Sequence, residues 1–320
     1  MEVFAKVIPT KIAGLVKIKL SRPIETRSFQ LSLQYNGQFY NTPKGFYKIS
    51  EGSSIAIFTS FYPSSSRFAF PSIDHPNVKV PYSIDVTIPS TYTVVSSVPI
   101  FDEYKSSGSY KTFKFIQTEP LSSFSLSLSL GEFKIKLEEF DTNFVRYAET
   151  LPLKLFSQNN DLLLFDSIYR SLKDIILHQE RILDSSYDFR NINVGIFPYQ
   201  LNNGAGQIHI NSKLYSSDKL KPFGRNFSLH QDLSIGLAQQ WYGYSISPKS
   251  WNDSWILNGL SHWLAEISLN KEDFFLASLL PSLSDTYNTM LDDYFLNTSL
   301  QNSTLPMSRN LVSFSTNKTK

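Results

Sequence analysis

The spacing of apolar residues changes near residue 150, and this change constrains the fold more than any other feature of the chain. In residues 1–147, apolar and polar residues alternate in short runs bounded by Pro, Gly and Ser, a pattern typical of antiparallel strands. After residue 150, apolar residues recur every third or fourth position, which indicates helices. The sequence therefore predicts an α+β protein, with an antiparallel β domain at 1–147 and a mixed α/β domain at 148–320.

The runs also predict individual elements. Residues 1–27 alternate apolar and basic residues and lack a continuous apolar stretch, which favours strand over signal peptide. In 125–131, leucines alternate with serines, so we expect a half-buried strand with leucines on one face and serines on the other. We expect Asp253 to cap a helix at 254–267. Further strands are predicted at 29–35, 53–59, 82–88, 91–96, 110–116, 124–130, 192–197 and 207–211, and further helices at 161–183 and 228–242.

Composition excludes several classes of function. The chain has 320 residues and no cysteine, which excludes disulfides, thiolate metal sites and cysteine nucleophiles. No G-x-S-x-G motif is present, so no serine hydrolase elbow is predicted. The formal net charge of +2 gives no strong attraction to nucleic acid or an anionic membrane. No run approaches the roughly 20 apolar residues that cross a bilayer.

Several short motifs occur in one order along the chain. The run 59–76, TSFYPSSSRFAFPSIDHP, resembles the TQFEPTDARRAFPCFDEP stretch of the aminopeptidase N family of zinc metallopeptidases. In the second half, LAQQWYG at 237–243 resembles LAHQWFG, and WNDSW at 251–255 resembles WWNDLW. Further matches lie at 45–48 (GFYK), 96–99 (SSVP), 115–124 (FIQTEPLSSF) and 131–133 (GEF).

This resemblance implies a family fold with an N-terminal β saddle followed by a thermolysin-like domain. The run 303–307, STLPM, is similar to the family's S-x-H-P-I segment. The family's remaining helices, its catalytic tyrosine and its C-terminal domain would follow that segment. The resemblance therefore implies a fragment or a truncated relative.

The family's zinc site is degenerate at the matching positions. Two histidines one helical turn apart and a distant glutamate hold the metal in the family, and a glutamate in HEXXH is the general base. These positions correspond to Ile235 and Gln239 for the histidines, Gly236 for the base and Asn258 for the distant ligand. An alkyl group, a glycine and two amides are poor donors for zinc. We therefore expect no zinc cofactor and no catalytic residue.

Recognition of a substrate amine is also predicted to fail. The family's G-A-M-E-N strand holds a peptide's ammonium group with its glutamate, and it corresponds to Gly204, Ala205 and the uncharged Gln207. The second amine-binding carboxylate corresponds to Tyr62. Our interpretation is a neutral groove, with Gly204 and Ala205 at its edge. The side chains expected to line it are Tyr62, Gln207, Gln239, Trp241 and Asn258.

Two other interpretations concern polar and aromatic residues. Asn258, His262 and Glu266 follow one another at i+4 spacing, so a rebuilt His–Glu metal pair is conceivable, but it lacks a third ligand. We expect ordinary surface or hydrogen-bonded histidines instead. The tryptophans of the second half are expected in the core rather than around a ligand; they are Trp241, Trp251, Trp255 and Trp263.

These observations lead to two functional hypotheses. The first is a non-catalytic, aminopeptidase-like scaffold for binding or assembly. The run 237–243 with Ile246 and Ser247 is similar to a TBP-associated, aminopeptidase-like subunit of the transcription factor TFIID, which implies TBP and other TFIID subunits as partners and a nuclear location. The alternative is a metallo-aminopeptidase that hydrolyses or binds peptides, in an extracellular or cytoplasmic location.

Overall fold

The computed structural model describes residues 5–11, 15–23, 29–52, 54–105, 108–141, 150–158, 162–213 and 222–269. The 303–307 segment that resembles S-x-H-P-I lies outside these ranges. The helices within them are α1 (Leu162–Leu183), α2 (Pro222–Trp241) and α3 (Ser254–Ser268). The strands are β1 (Ala5–Pro9), β2 (Val16–Leu20), β3 (Gly45–Glu51), β4 (Ser54–Ser60), β5 (Lys79–Val80), β6 (Asp85–Pro89), β7 (Thr93–Ser96), β8 (Ile100–Lys105), β9 (Tyr110–Phe115), β10 (Leu121–Ser122), β11 (Leu128–Gly131), β12 (Lys134–Asp141), β13 (Thr150–Ser157), β14 (Ile192–Phe197) and β15 (Gln207–Asn211).

The N-terminal half is an antiparallel β domain, as predicted. Its larger sheets have the orders β3-β4-β11-β7 and β6-β9-β8, and the pairs β1-β2 and β5-β10 form small two-stranded sheets. The predicted strand at 29–35 is wrong, because these residues are described without strand structure. Period-two alternation fits a strand, but a strand also needs a hydrogen-bonded neighbour, and no described ladder includes this segment.

A mixed sheet flanked by helices follows, which confirms the predicted α+β class, although its first strand, β12, lies within the range 1–147 predicted for the β domain. The sheet order is β12-β13-β14-β15, with β12 antiparallel to β13 and the last three strands parallel. The strands β14 and β15 have the predicted bounds, and α1 and α3 differ from prediction by one residue at one end. The helix α2 begins at Pro222, before the predicted start at residue 228.

The alternating Leu-Ser run is buried on both faces, so the prediction of a half-buried strand is wrong. A 3-10 turn at Ser123–Ser125 precedes the short strand β11. Leu128 and Leu130 pack in the core of the N-terminal domain, while Ser127 and Ser129 are also buried, against the second domain. A strand between two packed layers is buried on both faces, and serine is small enough for the second layer to approach closely.

One apolar core continues across both halves of the chain. Phe61, Phe124 and Leu126 of the β domain belong to the same buried cluster as Ile208 of β15 and Leu237 of α2. The phenyl rings of Phe58 and Phe197 add an edge-to-face contact with centroids 5.0 Å apart. This shared core fixes α2 and β15 against the β domain, where the motif positions lie.

The four tryptophans of the second half do not all lie in the core. Trp241 of α2 is buried, and the partly buried Trp251 packs against the main apolar cluster. Trp255 and Trp263 of α3 are 51% and 50% exposed, so the expected core location is wrong for these two. The side of α3 that packs on α2 is instead formed by smaller apolar residues such as Leu264.

The start of α3 departs from the prediction in one respect. Asp253 occupies the N-cap position, yet its side chain makes no capping hydrogen bond. Ser250 instead accepts a hydrogen bond from the Asn252 backbone N–H at the start of the preceding 3-10 turn.

Among the helices of the described ranges, none has both the length and the apolar character needed to cross a membrane.

Candidate functional site

The residue at the first zinc-ligand position lies in an apolar contact. Ile235 sits on α2, where this helix packs against α3. Its side chain is partly buried and contacts the small cluster of Ala238, Leu264 and Ala265. An alkyl side chain has no lone pair to offer a metal, and here it contributes to helix packing instead.

A side chain at position 236, the predicted counterpart of the general base, would collide with Ile208 of β15. Gly236 is buried in the interior of α2, and a Cβ atom there would lie 2.7 Å from Cγ2 of Ile208 on β15. Glycine inside a helix costs about 1 kcal/mol relative to alanine. Its presence here allows the helix backbone to approach β15 more closely than any other residue would.

The second and third ligand positions carry amides. The Gln239 side chain accepts a hydrogen bond through Oε1 from Asn203 Nδ2 at 2.9 Å. Asn258 lies on α3, where its backbone carbonyl accepts a hydrogen bond from Ser261. These residues do not fit a zinc ion, which in proteins takes imidazole, thiolate or carboxylate ligands. In the part of the chain that the structure describes, including His262 and Glu266, no three His, Asp or Glu residues are grouped as metal ligands would be.

A neighbouring glutamine, which the motif resemblance does not single out, holds the 204–206 loop against α2. Gln240 is buried, and its Oε1 accepts from the backbone N–H of Gly206 at 2.8 Å. Its Nε2 donates to the carbonyls of Gly236 at 3.0 Å and Gly204 at 3.3 Å. A helical projection could have found it, because Gln240 follows Gly236 by four residues and Leu237 by three, on the inward face.

The glycines of this loop are required by their surroundings. Gly206 has a φ of 67°, and a Cβ there would lie 2.7 Å from the Ser97 carbonyl oxygen. At Gly204, a Cβ would lie 2.3 Å from that of Ser127. Ala205 is fully buried, and its N–H donates to the Ser125 carbonyl at 2.8 Å. The loop is therefore packed between α2 and the serine face of the 125–131 run.

A buried polar cluster follows the loop on β15. Gln207 Nε2 donates to Ser129 Oγ and lies 3.2 Å from Nε2 of His209. The Nδ1 of His209 lies 2.7 Å from the Asn202 carbonyl, so Nδ1 carries the proton and Nε2 accepts from Gln207. Burial lowers the pKa of His209 to about 4, which keeps the imidazole neutral near pH 7.

One polar atom of this cluster, Oε1 of Gln207, is buried and has no hydrogen-bond partner within the described ranges. Gln207 occupies the position that matches the family's amine-binding glutamate. The amide binds the cluster through its nitrogen, so it contributes packing and hydrogen bonds but no charge.

The other residues expected to line the groove differ in their solvent exposure. Tyr62 is partly buried, with its ring edge-on to Trp251 at 5.6 Å and to Phe124 at 6.0 Å. Trp241 is buried and donates from Nε1 to the Ser186 carbonyl at 3.3 Å. Like Trp241, the residues of the 204–207 run are buried, whereas Tyr62 keeps an exposed portion. The groove itself stays a prediction.

Comparison with known proteins adds the evolutionary context. Residues 6–125 match the family model described as the Peptidase M1 N-terminal domain. The thyrotropin-releasing hormone-degrading ectoenzyme of Homo sapiens is 21% identical over 264 residues, covering 77% of this chain and 23% of the relative. Leucyl aminopeptidase of Saccharolobus solfataricus is 21% identical over 230 residues, covering 71% and 28%. Aminopeptidase M1-D of Oryza sativa subsp. japonica is 23% identical over 263 residues, covering 75% and 28%.

The alignments cover most of this chain but only a small part of each relative. The aligned region spans between 23% and 28% of each of these three relatives. It extends past residue 125, since 264 aligned residues cannot fit within the matched N-terminal domain. The similarity therefore includes part of the region that follows the N-terminal domain.

Proposed function

We propose that this chain is a non-catalytic M1 aminopeptidase that serves as a protein-binding or assembly scaffold. It belongs to the family through its N-terminal domain and part of the catalytic region. The contact between Gly236 and Ile208 carries this proposal. At this contact, helix α2 packs directly on strand β15. This packing occupies the space that the side chain of a general base would need. A metal water at this position would have no base to activate it.

The donor set and the amine-binding positions support the same proposal. Ile235, Gln239 and Asn258 offer an alkyl group and two neutral amides where zinc needs three ligands. Gln207 and Tyr62 replace the two carboxylates that would pair with a substrate ammonium. Two hydrogen bonds of the Gln240 side chain join the helix α2 to the 204–206 loop. We therefore expect this region to fold without zinc.

The decisive test measures metal and turnover on the same protein. The purified 320-residue chain, incubated with zinc and then dialysed, should retain under about a tenth of an equivalent by elemental analysis. It should also leave aminoacyl fluorogenic substrates uncut, with or without a chelator. Stoichiometric zinc together with chelator-sensitive turnover would refute the proposal.

A matched variant tests whether the scaffold can accept the missing groups. The quadruple variant I235H/G236E/Q239H/N258E restores the family's residues at all four positions. We expect it to lose stability and to remain inactive, because a glutamate side chain at position 236 would overlap Ile208. The triple variant that keeps Gly236 serves as the control, since it adds metal ligands without this overlap.

The partner proposal is narrower and has its own test. The similarity of the 237–243 run to the TFIID subunit supports TBP and other TFIID subunits as partners. Tagged protein expressed in its native cell should then co-purify with TBP and be found in the nucleus. Recovery at the cell surface, or a partner set without TBP, would reject the TFIID assignment and leave the scaffold proposal to the zinc and turnover test.

Aminopeptidase activity is the second candidate function. It is favoured by the relatives, two of which are named leucyl aminopeptidase and aminopeptidase M1-D. Such an activity would require a metal bound by residues other than the four motif positions. The same elemental analysis and substrate assay decide between this candidate and the scaffold.

A further inference from the structure

An exposed segment without strand structure precedes strand β3 in the chain. Residues 29–35, with the sequence FQLSLQY, are all exposed and belong to no strand ladder in the described ranges. Phe29 is 67% exposed and Tyr35 52%, and Leu31 and Leu33 are exposed between them. An alternating apolar segment outside any ladder presents backbone N–H and C=O groups together with apolar side chains, which favours pairing with another strand.

The sequence of this segment is nearly the same in both directions. From either end, it runs aromatic, Gln, Leu, Ser, Leu, Gln, aromatic, with Ser32 at the centre. Two antiparallel copies centred on Ser32 would place Phe29 opposite Tyr35 and Leu31 opposite Leu33. Aromatic pairs and aliphatic pairs directly opposite one another stabilise antiparallel strands.

We propose that residues 29–35 form an antiparallel pair with the same segment of a second copy of this chain, about a twofold axis through Ser32. In a twofold interface, if residue i of one copy faces residue j of the other, then residue j of the first copy also faces residue i of the second. The pseudo-palindrome meets this requirement. A partner with an unrelated sequence would gain nothing from this symmetry. The second copy is therefore the occupant that the sequence favours.

The geometry also limits the strength of the pair. The apolar residues at 29, 31, 33 and 35 share one face, and the Gln and Ser residues share the other, as period two requires. A ribbon of two seven-residue strands buries less surface than a stable dimer needs. We therefore expect a weak dimer whose population depends on protein concentration.

Cysteine crosslinking tests the register directly, because the natural chain has no cysteine. The S32C variant places two thiols opposite each other at the axis, where Cα atoms about 5 Å apart permit a disulfide. We expect a covalent dimer of twice 36.6 kDa on mild oxidation. In the Q30C control, the two thiols would lie about 14 Å apart along the ribbon, so little dimer should form.

Charge substitutions test the orientation without covalent chemistry. In L31K/L33E, an antiparallel pair sets Lys opposite Glu twice, while L31K/L33K sets Lys opposite Lys, so L31K/L33E should dimerise more strongly than L31K/L33K. Sedimentation of the full chain up to about 100 µM gives the readout. F101K, at an exposed residue of β8, is the control and should behave like the natural chain.

The outcomes separate this proposal from its rivals. A monomer at every concentration would overturn it, as would equal crosslinking of S32C and Q30C. Equally weak association of L31K/L33E and L31K/L33K would show no Lys–Glu pairing across the axis and would also overturn it. Concentration-independent protection of the 30–34 amides from hydrogen exchange would show instead that the chain pairs this segment with itself.

Discussion

A Cβ atom at Gly236 would lie 2.7 Å from Cγ2 of Ile208, so any larger residue would force helix α2 or the Ile208 side chain of strand β15 to move. Gly236 is the residue that the motif resemblance predicts to correspond to the catalytic glutamate of the aminopeptidases. The contact therefore links a packing requirement to the proposed loss of catalysis. It also makes the proposal testable by stability measurements that need no substrate.

The first prediction concerns the G236A variant. Alanine would gain about 1 kcal/mol of helix propensity, but its methyl group would have to displace Ile208 or shift α2. Overpacking of a buried site costs about 1 to 3 kcal/mol, so we expect a net loss of stability. Urea unfolding, followed by circular dichroism, measures this change.

Two variants control this first prediction. G259A on α3 adds a Cβ that meets no atom within 4 Å, so the same change there should stabilise by up to about 1 kcal/mol. I208A removes the Cγ2 atom that the new methyl group would meet, so G236A should cost less stability in an I208A background than in the natural chain. Equal effects of G236A and G259A would contradict the predicted contact.

The second prediction concerns Gln240, which joins α2 to the 204–206 loop. Replacing it with leucine keeps the volume but removes three hydrogen bonds and leaves the Gly206 N–H buried without its partner. One unsatisfied buried group costs about 1 to 3 kcal/mol. We expect Q240L to be destabilised by that order and the loop amides to exchange faster with deuterium.

The neighbouring glutamine supplies the matched control. Gln239 is half-buried, and its side chain accepts a hydrogen bond from Asn203. Q239L should therefore change stability less than Q240L, because water can reach the atoms that lose their partner. The reverse order would contradict the structure of the loop contact.

The third prediction concerns the ion pair in the 59–76 motif. Asp74 is nearly buried and accepts from Arg67 Nε at 2.7 Å, from the Arg67 backbone N–H at 3.3 Å and from Ser123 Oγ at 3.4 Å. D74A should destabilise by about 2 kcal/mol, since these donors lose a charged acceptor. D166A, which removes an exposed partner of Lys136, should leave thermal unfolding unchanged.

The sequence predicts best the elements whose pattern depends on their own residues. The strands β14 and β15 and the helices α1 and α3 are predicted nearly to their bounds, because continuous apolar runs and helical spacing indicate burial directly. The strand predicted at 29–35 is wrong because a strand also depends on a neighbour. Whether Trp255 and Trp263 are buried depends on which elements pack against α3.

The helix that carries the candidate site residues is predictable from the sequence, but the contacts around them are not. The motif match locates Ile235, Gly236 and Gln239 on one helix, and the structure places them there. It does not indicate that Ile208 closes the space beside Gly236, or that Gln240 rather than Gln239 holds the loop. These contacts depend on the distance between α2 and β15, which is a tertiary property.

The last prediction concerns the pH dependence of stability. The pKa of His209 is about 4 in the folded chain and about 6.5 when unfolded, because burial disfavours the charged imidazole. Between pH 6.5 and pH 4 the unfolded state binds more protons, so protonation favours unfolding. The free energy of unfolding should be unaffected by His209 above about pH 6.5. It should fall by about 3 kcal/mol as the pH decreases to about 4.

Comparison with variants isolates this contribution from other titrating groups. Burial also lowers the pKa of His262, which acts in the same direction, and raises the pKa of Glu180, which acts in the opposite one. H209Q removes only the His209 contribution, so its stability should vary less over this acidic range than that of the natural chain. H75Q, at an exposed histidine, controls for the loss of one histidine from the chain. If H209Q does not fold, an NMR titration of the His209 ring in the natural chain decides, and a pKa near the ordinary histidine value would contradict its neutral, buried state.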